Sequence, residues 1–241
     1  MPLAKINPFP ALVSLFYPAV CAGCGTDVDS RDRICGECES KLARIVPPFC
    51  AKCSEPFSGA VTSAFECANC AHRELYFDAA VSGFRSRGII RKVILDFKYG
   101  RQAHLRHVVA GWLFATMEDD RIRTRQFDLI VPVPLHPARQ RERGFNQAAL
   151  LAELLSHKTS IRREAVLERV RYTTSQTAFD RAERMENLHG AFRLRKNSDV
   201  RKLRVLLVDD VLTTGSTLSE CARVLKNAGA VSVHAVTAAR A

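Results

Sequence analysis

The stretch VLLVDDVLTTGST, residues 205–217, joins four apolar residues to two adjacent carboxylates, Asp209 and Asp210. A continuous apolar run of this length is typical of a strand that is buried on both faces of a parallel sheet. Two acids at its end repel each other and lose hydration, so they become favourable where hydroxyl donors or a divalent cation meet them. The stretch therefore predicts a ligand site at the end of a buried strand.

A loop of small residues follows the acids and consists of Thr213, Thr214, Gly215, Ser216 and Thr217. Gly215 permits a tight turn, and a helix predicted to begin near Ser216 directs the positive end of its dipole at the loop. Backbone N–H groups and hydroxyls around one point form an anion site of phosphate size. Acids and loop together predict a site for ribose 5-phosphate, with a plain helix N-cap beside two incidental acids as the alternative.

Apolar patterns elsewhere alternate between strand and helix. Strands are predicted at 77–84, 127–136, 203–210 and 231–239, and helices at 88–100, 104–117, 144–157 and 216–230. This alternation predicts an α/β domain whose parallel sheet is covered by helices on both faces. Ligands in such folds bind at the carboxyl ends of strands, here after residue 133 and after residue 208.

Eight of the nine cysteines form four Cys-x-x-Cys pairs, namely Cys21/Cys24, Cys35/Cys38, Cys50/Cys53 and Cys67/Cys70. Two pairs complete a tetrahedral shell of four sulfurs, so four pairs predict two closed, structural zinc sites. Disulfides or redox pairs are the alternatives, and disulfides need an oxidising compartment. The sequence leaves open whether successive pairs share an ion or whether the pairs interleave. Cys221 lies in a helical apolar pattern and is predicted to be a buried structural thiol.

The composition, 47% hydrophobic and 25% charged, is that of an ordinary globular protein, and no apolar run approaches the roughly 18 residues of a membrane span. The first 20 residues contain four prolines and make a poor signal peptide, so we expect a cytoplasmic chain. The net charge of +11 makes a polyanionic partner plausible, with a solvated basic surface as the alternative. The predicted organisation is an arm at 1–18, a double zinc ribbon at 19–74 and an α/β domain at 75–241.

Longer motifs carry a family resemblance. The stretch 205–217 resembles the phosphoribosyl pyrophosphate motif of type I phosphoribosyltransferases. VPVPLHPARQRERGFNQAALLAELL (131–155), TTSQTAFDRAERMENLHGAF (173–192) and the cysteine pairs together resemble the ComF/GntX family over nearly the whole chain. The resemblance implies the Rossmann-like parallel sheet of the type I phosphoribosyltransferase fold, preceded by a small zinc-ribbon module.

The resemblance also implies roles for individual residues. Asp209 and Asp210 would be the catalytic acids that hold the ribose, while Mg²⁺ would bridge the diphosphate and the sugar hydroxyls. A loop at about 134–144 would hold pyrophosphate through His136, Arg139, Arg141 and Arg143, for which a solvated basic loop or a nucleic-acid contact is the alternative. A catalytic hood would fall at 171–189 and include Thr173, Gln176, Arg184 and Asn187. Lys98 and Tyr99, within DFKYGRQ (96–102), would line the same cleft.

Two functions fit this resemblance. One is a protein that binds phosphoribosyl pyrophosphate and acts in DNA uptake during natural transformation, with single-stranded DNA and competence or recombination proteins as partners. The other is an active Mg²⁺-dependent phosphoribosyltransferase, similar to amidophosphoribosyltransferases, in nucleotide metabolism or salvage. The basic charge, the zinc ribbons and the arginine-rich loop favour the first, and the sequence identifies no acceptor base.

Overall fold

The computed structural model describes residues 19–29, 33–59, 65–100, 102–172 and 188–241. The chain divides into two compact units, Met1–Leu42 and Ala43–Ala241. The larger unit thus includes the second pair of cysteine hooks as well as the α/β elements, whereas the boundaries at 18 and 74 remain predictions. The hood residues Thr173, Gln176, Arg184 and Asn187 lie outside the described residues.

A four-stranded parallel sheet forms the centre of the larger unit. Its strands are β1 (Ala79–Arg85), β2 (Leu129–Pro132), β5 (Arg204–Leu212) and β6 (Ser232–Arg240), and their order is β1-β6-β5-β2. Two short strands, β3 (Leu167–Arg169) and β4 (Phe192–Leu194), form a separate antiparallel pair. The predicted α/β class with a parallel sheet is confirmed.

The four helices of twelve or thirteen residues match helices predicted from apolar periodicity, whereas the shorter helices were not predicted. Helix α1 (Gly36–Ser40) belongs to the smaller unit, and the larger unit contains α2 (Ala68–Ala71), α3 (Gly88–Tyr99), α4 (Arg106–Met117), α5 (Asp120–Arg123), α6 (Pro137–Arg143), α7 (Gln147–Thr159) and α8 (Ser216–Asn227). Helix α3 shows why the pattern succeeds, since Ile90, Val93, Ile94 and Phe97 are buried at the spacing of one helix face.

Several predicted boundaries differ from the structure, and two of the differences have a clear physical reason. The strand predicted at 127–136 ends at Pro132, and much of the predicted loop at 134–144 is helix α6. Pro137 occupies the first turn of α6, where a missing N–H costs nothing, and Gly144 ends the helix with φ 83°. Strand β5 continues past Asp210 to Leu212, because its neighbour β6 is long enough to pair with Val211 and Leu212.

The second cysteine cluster is part of the main core. Cys50, Cys53, Cys67 and Cys70 are buried in one cluster with Phe77 and with apolar residues of the central sheet. The second ribbon therefore packs directly on the α/β elements. Among the described residues, no helix is both long and apolar enough to cross a membrane.

Candidate functional site

The acid pair lies where strand β5 extends beyond strand β2. Pro132, the last residue of β2, pairs with Val208, so the following Asp209 pairs only with Thr237 of β6. The Oδ1 atom of Asp209 accepts a hydrogen bond from the backbone N–H of Asp210 at 2.9 Å. Both acids thus lie at the carboxyl edge of the sheet, where α/β proteins bind their ligands.

Lys98, near the end of helix α3, neutralises one of the two acids. Its Nζ atom lies 2.9 Å from Oδ1 of Asp210, and the exposed fractions of the two side chains are 21% and 5%. Burial acts to lower the pKa of Lys98, but the charges of Asp210 and Asp209 outweigh burial, so the pKa is raised. Lys98 is therefore a charged partner inside the site, where sequence reasoning had placed it only by resemblance.

Among the described residues, no cation forms an ion pair with the other acid, Asp209. Burial, together with the charge of Asp210, raises the pKa of Asp209 to about 7, although the charge of Lys98 acts in the opposite direction. The Oδ2 atom of Asp210 is buried and has no hydrogen-bond partner among the described residues. A carboxylate oxygen with spare acceptor capacity fits a sugar hydroxyl or Mg²⁺, both of which the predicted ligand would bring.

The predicted phosphate loop connects the acid pair to helix α8. Gly215 has φ 80° and directly precedes the helix, and a Cβ atom there would lie 3.4 Å from the ring of Phe77. The hydroxyls of Thr214 and Ser216 are 2.9 Å apart, whereas Thr213 is exposed and Thr217 is half-buried. The loop therefore needs glycine for its backbone conformation, whereas the space beside Phe77 would admit a Cβ atom in ordinary van der Waals contact.

Side chains of the second zinc ribbon hold this loop, which sequence reasoning did not foresee. Arg73 donates from Nη1 to the carbonyl oxygen of Thr214 at 3.0 Å and from Nη2 to Oγ of Ser216 at 2.9 Å. Asn69 donates to the same Thr214 oxygen at 3.4 Å. No local pattern marks either residue as part of the site, because the contacts join segments far apart in the chain.

The four predicted pyrophosphate residues lie on or beside helix α6, and three of them meet exposed tyrosines. Arg143 lies over the ring of Tyr99, 4.8 Å from its centroid, and donates to its hydroxyl at 3.2 Å. Arg139 lies 5.8 Å from the ring centroid of Tyr172, and the His136 ring lies 5.1 Å from the same ring. The fourth residue, Arg141, is exposed.

Arg169, at the end of β3, adds a further positive charge that sequence reasoning missed. Its guanidinium lies 5.3 Å from the ring centroid of Phe192. Burial and the like charge of Arg139 lower the pKa of Arg169, while the charge of Asp209 opposes this shift. Arg139, Arg169 and Asp209 therefore act on one another electrostatically within one region.

The cysteines form two clusters, each made of successive pairs. Cys21, Cys24, Cys35 and Cys38 form one cluster, and Cys50, Cys53, Cys67 and Cys70 form the other, with all ligand atoms of a cluster within 4.8 Å of one another. The Sγ atoms of Cys24 and Cys35 are 3.7 Å apart and those of Cys53 and Cys67 are 3.6 Å apart, close to the separation of about 3.8 Å that a tetrahedral Zn–S length of 2.3 Å requires.

This geometry fits two structural zinc sites and decides the pairing that the sequence left open. Backbone N–H groups support it, since Cys35 donates to the sulfur of Cys21 and Cys67 donates to the sulfur of Cys50. Cys221 is fully buried away from both clusters, which confirms the predicted structural thiol.

Two family models and several relatives match this chain. Residues 12–71 match the family model of the double zinc ribbon domain, and residues 142–241 match that of the phosphoribosyl transferase domain. Competence protein F of Haemophilus influenzae is 31% identical over 232 residues, which cover 94% of this chain and 99% of that protein. DNA utilization protein YhgH of Escherichia coli K12 is 30% identical, covering 83% and 87%. Competence protein ComFC of Bacillus subtilis is 29% identical, covering 87% and 85%.

Similar solved structures include phosphoribosyltransferases. The glutamine phosphoribosylpyrophosphate amidotransferase of B. subtilis is 20% identical and gives a TM-score of 0.39. The matched region covers 58% of this chain and 30% of the amidotransferase chain. The adenine phosphoribosyltransferase of Saccharomyces cerevisiae is 12% identical, covers 57% and 72%, and gives a TM-score of 0.36. Scores this low support no statement about the function of this chain.

Proposed function

Because the chain belongs to the ComF family of competence proteins, we propose that it binds phosphoribosyl pyrophosphate and acts with single-stranded DNA during DNA uptake. The observation that carries the proposal is the acid pair Asp209 and Asp210, which lies beyond the end of β2 and directly before the phosphate loop. Competence or recombination proteins would be the partners, and zinc would stabilise the ribbons. We place the protein in the cytoplasm, where a reducing environment keeps the cysteine thiols free to bind zinc.

The acid pair would recognise the ribose. Asp209 and the free Oδ2 atom of Asp210 can each accept a hydrogen bond from a sugar hydroxyl. Lys98 already balances one of the two negative charges, so the pair can approach an anionic ligand with less repulsion. Mg²⁺, when bound with the ligand, would supply charge neutralisation for the diphosphate, and the same carboxylates are the residues that would hold it.

The loop at 213–217 would take the 5-phosphate. It includes the first residues of helix α8, which is twelve residues long, so the dipole of a full helix favours an anion there. Thr213 and Thr217 are at least partly accessible and can add hydroxyl donors. Arg139 and Arg143 would meet the diphosphate, because a guanidinium presents a planar fork of donors to oxyanions.

Exposed aromatic residues support the proposed role with single-stranded DNA. Tyr99 is 64% exposed and Tyr172 is 52% exposed, and each ring is paired with an arginine. Single-strand binding proteins combine such rings, on which bases stack, with cations along the backbone. The two tyrosines and the net charge of +11 fit this chemistry.

Transfer of the phosphoribosyl group is a second candidate function. The complete acid pair favours it, because these carboxylates could stabilise positive charge that develops at C1 as pyrophosphate leaves. The described residues do not indicate which base would accept the phosphoribosyl group. We therefore propose ligand binding as the main function and transfer as the second candidate.

Isothermal titration calorimetry with phosphoribosyl pyrophosphate and Mg²⁺ tests the ligand. We expect binding to the unmodified protein and loss of binding in the double variant Asp209→Asn, Asp210→Asn. Unchanged affinity in that variant would contradict the assignment of Asp209 and Asp210 as ligand-binding residues. Release of pyrophosphate in the presence of candidate acceptor bases would separate transfer from binding.

Fluorescence anisotropy with single-stranded DNA tests the second partner. We expect affinity that falls steeply with salt, and a further loss in Tyr99→Ala and Tyr172→Ala but a much smaller one in Tyr99→Phe and Tyr172→Phe, because phenylalanine still stacks. A flat salt response, or equal losses with alanine and phenylalanine, would count against this role.

A further inference from the structure

We infer that the second zinc ribbon positions the phosphate loop, and that Arg73 does so through its hydrogen bonds to Thr214 and Ser216. The inference rests on the proposed function for the identity of the ligand, but the coupling between ribbon and loop can be measured without any ligand. Nothing in the double zinc ribbon or the phosphoribosyltransferase pattern, taken separately, places an arginine of the first at the loop of the second.

Arg73 and its neighbour hold the middle of the loop. Arg73 reaches both the carbonyl oxygen of Thr214 and the hydroxyl of Ser216, at 3.0 and 2.9 Å, and Asn69 adds a contact to the same carbonyl. Arg73 also donates to Oδ1 of Asn69 at 2.8 Å, so the two side chains act as one unit. A bidentate guanidinium fixes direction as well as distance.

The beginning of the loop is held from the ribbon as well. Arg240, the last residue of β6, forms an ion pair with Glu55 and donates to the carbonyl oxygens of Leu212 and Thr213. Glu55 lies two residues after Cys53, and its carbonyl oxygen accepts from the backbone N–H of Cys50 at 2.8 Å. Two consecutive loop carbonyls, those of Thr213 and Thr214, are therefore bound by arginines that contact or belong to the ribbon.

Planar peptide geometry explains how these contacts serve an anion. In a trans peptide the N–H group points away from the C=O group of the same unit. Fixing the carbonyl of Thr213 directs the N–H of Thr214 to the opposite side, and fixing the carbonyl of Thr214 does the same for the N–H of Gly215. Successive N–H groups that are already oriented form a phosphate site that loses little conformational entropy when the anion binds.

The second cysteine cluster fixes the backbone positions of Asn69 and Arg73. Asn69 lies between Cys67 and Cys70 in helix α2, and the N–H of Arg73 donates to the carbonyl oxygen of Cys70 at 3.1 Å. All four sulfurs of this cluster fit zinc and are buried in the main core. Zinc bound by these four cysteines would therefore fix the position from which the Arg73 side chain extends to the loop.

The first ribbon supplies a matched control. Lys41 stands three residues after Cys38, as Arg73 stands three residues after Cys70, but Lys41 forms an exposed ion pair with Glu37 of its own helix. The same substitution at Lys41 thus removes a cation at the equivalent ribbon position without removing a described contact to the loop.

Hydrogen–deuterium exchange of the zinc-loaded full chain tests the coupling without ligand. We expect the peptide that covers 212–218 to exchange at least tenfold faster in Arg73→Gln than in the unmodified protein, and to be unchanged in Lys41→Gln. Arg73→Lys should fall between them, because a lysine can reach one acceptor but not both in fork geometry. Unchanged exchange in Arg73→Gln, with the fold intact by circular dichroism, would overturn the inference.

Calorimetry with phosphoribosyl pyrophosphate and Mg²⁺ then separates this inference from the proposed function. If the unmodified protein binds, we expect about tenfold weaker binding in Arg73→Gln and none of that loss in Lys41→Gln. Failure of the unmodified protein to bind would refute the proposed function. The hydrogen–deuterium exchange result would still test whether Arg73 orders the loop. Binding by Arg73→Gln at full affinity would overturn the positioning role.

Discussion

Replacing the two adjacent acids one at a time should change stability in opposite directions. Asp209→Asn should stabilise the ligand-free protein at pH 8, because asparagine removes a charge that burial and Asp210 make unfavourable. The asparagine oxygen can still accept from the backbone N–H of Asp210. Asp210→Asn should destabilise the protein, because it leaves the ammonium of Lys98 without its carboxylate at 2.9 Å.

The magnitude for Asp209 follows from its pKa, which rises from 3.8 to about 7 in the folded protein. A shift of about 3 units corresponds to about 4 kcal/mol against the folded state above pH 7, and partial access of water to the side chain reduces the expected gain to about 2 kcal/mol. The folded state binds the proton more tightly, so the penalty is absent below pH 3.8, grows with pH and is complete above pH 7. For Asp210→Asn we expect a loss of about 2–3 kcal/mol, since Lys98 is only partly exposed.

Urea denaturation of the zinc-loaded protein at pH 5.5 and pH 8, without Mg²⁺ or ligand, measures both effects. The gain from Asp209→Asn should be larger at pH 8 than at pH 5.5 by about 1 kcal/mol or more. The reasoning fails if both variants shift the midpoint in the same direction, or if the gain from Asp209→Asn is independent of pH.

Three further predictions concern the metal, the pH response and the loop. Metal analysis should give two zinc ions per chain, and fewer than one would contradict the two-cluster assignment. The affinity for phosphoribosyl pyrophosphate should increase about tenfold from pH 6 to pH 8 as Asp209 ionises, and an affinity that is constant over this range in calorimetry would exclude Asp209 as the titrating contact. Gly215→Ala should cost about 1–2 kcal/mol, because a φ of 80° is unfavourable for a residue with a Cβ atom, and it should weaken ligand binding by shifting the backbone of the loop. Gly88→Ala, with φ 53° and open space, should change the melting temperature alone, so equal ligand affinities in the two variants would refute this.

Local sequence patterns determined much of the fold and the position of the candidate site. The apolar run before Asp209 and the spacing of Ile90, Val93 and Phe97 predicted a buried strand and a helix, because each pattern reflects the geometry of a single element. Glycine and hydroxyl residues at 213–217 predicted the turn for the same reason. The errors lay at element ends, where proline placement and the length of the neighbouring strand decide the boundary, and in the short elements β3, β4 and α6, which the patterns did not predict.

The resemblance to a known family supplied the arginine-rich segment, but its geometry is tertiary. Nothing local indicates that helix α6 brings Arg139 and Arg143 to Tyr172 and Tyr99, because the tyrosines belong to other elements. The half-buried Arg169 at the end of β3 was missed for the same reason.

By itself, the sequence determined that two acids and a glycine-containing loop follow an apolar run, and that eight cysteines form four Cys-x-x-Cys pairs of the spacing that suits zinc. Only the tertiary structure decided that successive pairs share a cluster, that Lys98 neutralises Asp210, and that Arg73 of the second ribbon holds the phosphate loop. The physical reason is the separation along the chain of the residues that interact. Motifs record the chemistry of neighbours along the chain, whereas the charge of the acids and the order of the loop depend on side chains that packing brings from distant segments.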